Sequence, residues 1–260
     1  MKNEKMLAIL SIVLLCGVAS SSVNVVYAGS LVTPMERQVG PAFMRSCSCA
    51  FQSEGKGSVA LANMIESGIR NPDVFISADS KLMDRLRAPA KPFIHSYTVF
   101  AKATLVLGYS AKSPFAERFR QAASGRLSMR ALLETPGLRV GRTDPKLDPK
   151  GARTNYALAA MNVSPARSNV FPEEDLLVRL EAGDMDAAFL YSTESHSRNI
   201  PALQLPAIAS KGHEVLYSVA VLRHAANGEG ARKFVEFILS GPGKQILEGA
   251  GLVYIKRTTR

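Results

Sequence analysis

From position 23 onward, short apolar runs alternate with stretches whose apolar residues recur every three or four positions. That alternation predicts an α/β architecture, not an all-β or helix-bundle one. A strand over 23–27 is followed by a turn at Gly29 and Ser30, and Val32, Met35, Val39 and Phe43 then form one face of a helix. The unit repeats, with a strand over 47–52, a loop over 54–57, a helix start at Ser58, and Leu61, Ala62, Ile65 and Ile69 as the apolar face. A third strand over 73–77 leads into a short helix over 81–86.

Residues 93–109 are β-rich, and Gly108 with the Ser113-Pro114 helix start marks entry into a new region. Helices are expected over 114–123 and 129–133, a strand over 138–141, a Pro/Gly/Asp loop up to Gly151, helices over 154–161 and 173–182, and a strand over 185–191. After 201–206, a strand over 215–222 leads back. A last helix carries Ala231, Phe234, Val235 and Ile238 on one face, and 252–255 reads as a closing strand. A chain that leaves one sheet, builds a second and returns forms two lobes. The expected division is 22–106 together with 207–260 for the first lobe and 107–206 for the second.

The first 21 residues read as an export signal, with Lys2 and Lys5 ahead of an apolar run over 6–19 and a small-residue cluster over 20–22. That run is shorter than the roughly 20 residues needed to span a bilayer. Cleavage after Ala19 or after Ala28 fits the small-residue pattern, and the earlier cut is preferred because 23–27 is strand-like. Leu15 ahead of Cys16 is too large for lipoprotein processing. The expected mature product is therefore periplasmic. The formal net charge is +10, and removal of residues 1–21 lowers it by one. With no run of five or six like charges, no Trp and 7% aromatics, this excess suits small anions better than nucleic acid. Cys47 and Cys49 remain after cleavage; they read as small core residues, with a labile disulfide as the alternative.

Ser30 and Ser58 each follow a glycine, just after a strand and at the start of a helix. The first N–H groups of a helix lack intrahelical partners and carry the positive end of its dipole, so two such ends meeting form an anion cradle. As isolated features both serines are ordinary N-caps. Their recurrence in successive βα units, at strand ends where ligands gather, points to a site. In the second half, the loop 144–151 is stiffened by Pro145 and Pro149 and aims N–H groups near Lys150 outward, while the Tyr191 hydroxyl ends a strand. Ser192, Ser195 and His196 lie close in sequence, but with no nucleophile elbow, paired-carboxylate spacing or metal set around them an enzyme is not expected.

The segments VVYAGSL (25–31), GSVALA (57–62), DVFISAD (73–79), GRTDPKLDPKG (141–151), EAGDMDAAFLYSTES (181–195) and LSGPGKQIL (239–247) cover nearly the whole mature chain in order. In that combination the sequence resembles the periplasmic molybdate/tungstate-binding proteins. The resemblance implies a type II periplasmic-binding-protein fold, with two mixed sheets flanked by helices and a cleft between the lobes. It also implies a monomer that takes molybdate or tungstate as ligand, with no cofactor, and delivers it to a membrane ABC permease. The implied ligand set is the hydroxyls and amides of Ser30 and Ser58, the backbone N–H groups of Lys150 and Glu173, and the Tyr191 hydroxyl. In a tungstate-binding branch, two carboxylates contact the metal of the oxyanion directly. Asp148 matches the first; residues 205–208 carry no acid to match the second. Because a carboxylate facing a dianion is unfavourable unless it bonds the metal or shares a proton, phosphate stands as the competing ligand, and an ion pair of Asp148 with Arg142 or Arg153 as its plain structural role. A sensory protein or a hydrolase on the same scaffold are the other readings.

Overall fold

A computed structural model describes residues 22–47, 49–209 and 213–260. The expected export signal lies outside the described residues. Strand β1 (Val23–Ala28) is almost wholly buried, and its Val-rich run suits an interior strand covered on both faces. A 3-10 turn (Gly29–Leu31), α1 (Val32–Pro34), a π-helical turn (Met35–Val39) and α2 (Gly40–Cys47) follow without a break. Leu31, Met35, Val39 and Phe43 are buried at steps of four, which the wide π turn accommodates, while Val32 faces solvent.

The chain continues through β2 (Phe51–Lys56), α3 (Ser58–Glu66), β3 (Val74–Ser77), α4 (Ser80–Leu86), β4 (Thr98–Ala103) and β5 (Leu105–Tyr109). Next come α5 (Ala116–Ala123), α6 (Met129–Leu133), β6 (Arg139–Thr143), α7 (Pro149–Ala160), β7 (Arg167–Phe171) and α8 (Glu173–Ala182). The last part comprises β8 (Ala187–Tyr191), α9 (Ser192–Ser197), β9 (Ala202–Gln204), a 3-10 turn (Ala207–Ala209), β10 (Val215–Val221), α10 (Gly228–Leu239), α11 (Gly241–Gly249) and β11 (Val253–Thr259).

Two mixed sheets result, one ordered β11-β4-β10-β3-β1-β2 and the other β7-β6-β8-β5-β9. In the first, β1 runs parallel to β2 and β3, and β10 runs antiparallel to β3 and β4. In the second, β6 runs parallel to β7 and β8, and β5 antiparallel to β8 and β9. The chain passes from one sheet to the other at Thr104, so the expected boundary at 106/107 falls inside β5. Among the described residues no helix is long and apolar enough to cross a membrane.

Three other sequence expectations differ from the structure. The strand expected over 47–52 is displaced to Phe51–Lys56, and residues 54–56, read as loop, belong to it. As a half-exposed edge strand it has no apolar alternation to show. Ile69, read as part of a helical face, lies beyond α3 and is exposed. Cys47, which ends α2, is joined to Cys49 in a disulfide, so the pair are not free thiols packed in the core.

Within the second lobe, Asp186 accepts hydrogen bonds from the Arg139 backbone N–H (2.9 Å), Arg139 Nε (3.0 Å), Arg139 Nη2 (3.1 Å) and the Ser113 hydroxyl (2.9 Å). Burial raises its pKa, but these donors outweigh burial and hold the carboxyl below its ordinary range. The lobes meet over small residues. The Ala60 N–H donates to the Leu147 carbonyl at 3.0 Å, and a Cβ on Gly57 would stand 2.5 Å from that same carbonyl oxygen and 3.2 Å from Asp148 Cβ.

The Asp186→Asn variant should lose about 2 kcal/mol of stability, because the amide cannot accept four donors including a guanidinium; urea unfolding measures this, and an unchanged midpoint would contradict the role given to Asp186. Gly57→Ala should fold normally, since φ −51° and ψ 129° suit any residue, yet it should hold the lobes apart. Small-angle scattering would show a larger radius of gyration than the wild type.

Candidate functional site

The site begins at the start of α7. Asp148 is its N-cap and accepts the Lys150 N–H at 2.6 Å, with Pro149 in the first turn where a missing N–H costs nothing. Gly151 permits the tight turn, for a Cβ there would meet the Thr143 carbonyl at 2.4 Å. This geometry turns the Lys150 side chain inward. Its ammonium donates to Glu194 Oε1 at 2.7 Å and Glu173 Oε1 at 3.2 Å, and stands 5.6 Å above the Tyr191 ring.

Each partner has a second anchor. Glu194 Oε2 accepts the Tyr191 N–H at 2.7 Å, closing the first turn of α9. Glu173 opens α8 and presses on the first lobe, where a Cβ on Gly29 would lie 1.5 Å from its Oε2. One turn along α7, Arg153 donates to the Tyr191 hydroxyl (3.3 Å), the His213 carbonyl (3.3 Å) and the Glu214 carbonyl (3.1 Å), and pairs with Asp79 at 3.6 Å.

From the first lobe, Ser30 Oγ lies 2.7 Å from the Tyr217 hydroxyl, which is 3.4 Å from Thr193 Oγ1. Ser58 Oγ accepts the Ala78 N–H at 3.2 Å. Neither serine hydroxyl caps its own helix; Ala28 and Gly57 occupy those N-cap positions. Ser58 follows Gly57, which packs on Asp148, so the start of α3 and the start of α7 meet across the lobe boundary. Cavities of about 290 Å³ and about 250 Å³ flank this cluster. Asp79, Arg153 and Glu214 line the first; Gly29, Glu36, Glu173 and Arg198 line the second.

The structure thus brings Ser30, Ser58, Asp148, Lys150, Glu173 and Tyr191 into one buried region, with two differences from expectation. The Lys150 amide is already engaged by Asp148, and it is the ammonium, not the amide, that enters the cluster. Asp148 pairs with neither Arg142, which bonds Ser168 and Asn155, nor Arg153; it caps α7.

Electrostatics follow from one ammonium facing three carboxyl groups. Burial would lower the Lys150 pKa, but Glu194, Glu173 and Asp148 together raise it. Burial raises Asp148, against the pull of Lys150, and pushes Glu173 up to about 8. Burial likewise raises the Tyr191 and Tyr217 hydroxyls, so both keep their protons and remain donors.

Sequence reading missed Tyr217, Thr193 and Glu194 and gave Arg153 no site role. Tyr217 sits in an apolar strand and reads as core. Glu194 stands three residues after Tyr191, a capping-box spacing that becomes visible only once a helix over 192–197 is recognised.

Residues 23–253 match the family model described as bacterial extracellular solute-binding protein. A putative ABC transporter molybdenum-binding protein of Haloferax volcanii is 34% identical over 201 residues, which take in 74% of this chain and 62% of that protein. The molybdate/tungstate-binding protein WtpA of Pyrococcus abyssi is 24% identical over 293 residues, covering 88% of this chain and 83% of that one. In fold, the chain is similar to the periplasmic molybdate-binding protein of Azotobacter vinelandii, with a TM-score of 0.73 at 19% identity over 90% of this chain and 100% of that one. With two mixed sheets flanked by helices and a family match across both lobes, the chain belongs to the bacterial extracellular solute-binding proteins.

Proposed function

We propose that this protein captures a tetrahedral oxyanion, molybdate or tungstate, between its two lobes and hands it to an ABC permease without making or breaking a bond. The observation that carries the reading is the convergence of hydroxyl donors from both sheets. Ser30 and Tyr217 come from the first, Tyr191 from the end of β8, and Thr193 from the turn that follows it. Hydroxyls that keep their protons can each donate to an oxyanion, and Arg153 adds a fixed positive charge beside Tyr191. The Haloferax and Pyrococcus relatives, named for molybdenum and for molybdate/tungstate, point to the same ligand class. Asp148, at the start of α7, is the carboxylate assigned to direct contact with the metal of the oxyanion.

The protein acts in the periplasm as a monomer, exported by residues 1–21. A cut after Ala19 keeps β1 whole, whereas a cut after Ala28 removes an interior strand of the first sheet.

Calorimetry with molybdate, tungstate, sulfate and phosphate tests the reading. Molybdate or tungstate should bind most tightly, and Tyr217→Phe should weaken binding by roughly 10- to 100-fold, as expected when one hydrogen bond to a charged ligand is lost. Heat from none of the four anions would sink the proposal.

A further inference from the structure

Taking the oxyanion reading as given, we propose that capture of a fully deprotonated dianion takes up one proton, and that Glu173 accepts it as the lobes come together. Glu173 belongs to the second lobe, yet its carboxyl rests on Gly29 of the first, immediately before Ser30. With the lobes apart, that face of the carboxyl meets water; with the lobes together, only 5% of the side chain is exposed. Its one ammonium partner among the described residues, Lys150, is shared with Glu194 at a shorter distance, 2.7 Å against 3.2 Å.

The surrounding charges make the added anion costly. Lys150 and Asp148 face Glu173 from α7 and Glu194 from α9, while Glu36, Glu174 and Arg198 line the cavity on its outer side. Arg198 is committed to Glu181, and Lys56 of the first lobe reaches Glu174 at 3.4 Å. If Asp148, Glu173 and Glu194 were all ionised, a dianion would enter a cluster that is already short of positive charge. Glu194 accepts both the Lys150 ammonium and the Tyr191 amide, and Asp148 accepts the Lys150 amide. Among the described residues, Glu173 has neither a backbone donor nor an ammonium of its own, so the proton goes there. The closed-form carboxyl sits at about 8, raised first by burial, against about 4.3 when solvated.

A group protonated in the closed form and ionised in the open form makes affinity fall as pH rises. The loss should be about tenfold per pH unit between roughly pH 5 and 8 and level off above. Molybdate, tungstate and sulfate have no proton to share. Hydrogen phosphate brings one, so its capture should draw little or none from buffer. Glu173 is in this way a specificity-determining residue, favouring proton-free dianions under mildly acidic conditions.

The test is calorimetry of molybdate binding to the whole protein near pH 7 in PIPES, HEPES and Tris, whose ionisation enthalpies differ. Close to one proton should be taken up per molybdate, and Glu173→Gln should bind molybdate with buffer-independent heat and an affinity flat from about pH 6 to 8. Buffer-independent heat in the wild type overturns the proposal, and uptake that persists in the variant overturns Glu173 as the acceptor. Should the variant fail to fold, the wild-type affinity decides, since a flat profile from about pH 6 to 8 is equally fatal. Absence of binding by any oxyanion would instead remove the reading on which the inference rests.

Discussion

The buried cluster of Lys150 and its two glutamates sets the shape of the second lobe's inner surface. An ammonium 1% exposed costs several kcal/mol in desolvation unless partners repay it. Here they come from two further elements, Glu194 from α9 and Glu173 from α8, while the lysine hangs from the capped start of α7. Glu194 also holds the Tyr191 amide, which fixes where β8 stops. Loss of Lys150 leaves its carboxylate partners without an ammonium in a dry interior, a penalty of about 3–5 kcal/mol. The three helix starts and the strand end that face the cleft therefore behave as one rigid piece.

That piece is tied to the first place where the chain crosses between sheets. Thr104, the single residue between β4 and β5, accepts the Ser192 N–H at 2.8 Å, and its own N–H donates to Ser192 Oγ at 3.2 Å. Ser192 follows Tyr191 directly, and Leu105 pairs with Tyr191 across β5 and β8. Any rotation about the crossover must move Tyr191 relative to Ser30 and Tyr217, which ride on the first lobe. Hinge and cradle are thus joined across β5 and β8 through Ser192 and the Leu105–Tyr191 pair, so a change in lobe angle would be felt at the hydroxyl donors.

How much of this was legible in the sequence depended on what each residue's pattern recorded. Strands β1, β3, β8 and β10 are buried and apolar, and their runs are plain in the sequence. Edge strands β2 and β7 are half-exposed or polar, so no period marks them, and helix α9 is only six residues long and rich in Ser. Ser30, Ser58 and Tyr191 could be found because the start of a helix and the end of a strand leave a signature in glycine and serine placement. The charged side chains could not. Whether Lys150 points outward or inward turns on the cap at Asp148 and on two glutamates that lie 23 and 44 residues further along the chain, a relation no local pattern encodes.

Arg153 completes the argument from charge. Its guanidinium bonds the carbonyls of His213 and Glu214, on the segment returning to the first lobe, and pairs with Asp79 at the start of α4. The remaining contact is to the Tyr191 hydroxyl, where it leaves that group's proton free to point elsewhere. So the cation nearest the cradle is positioned by atoms of the first lobe although it grows from the second, and Glu173 touches the first lobe in the same way through Gly29. One guanidinium and one carboxyl group therefore depend on the lobe boundary for their surroundings. On the proposed reading, closing the lobes and setting the charge of the cradle are one physical event, and an anion that stabilises either must stabilise both.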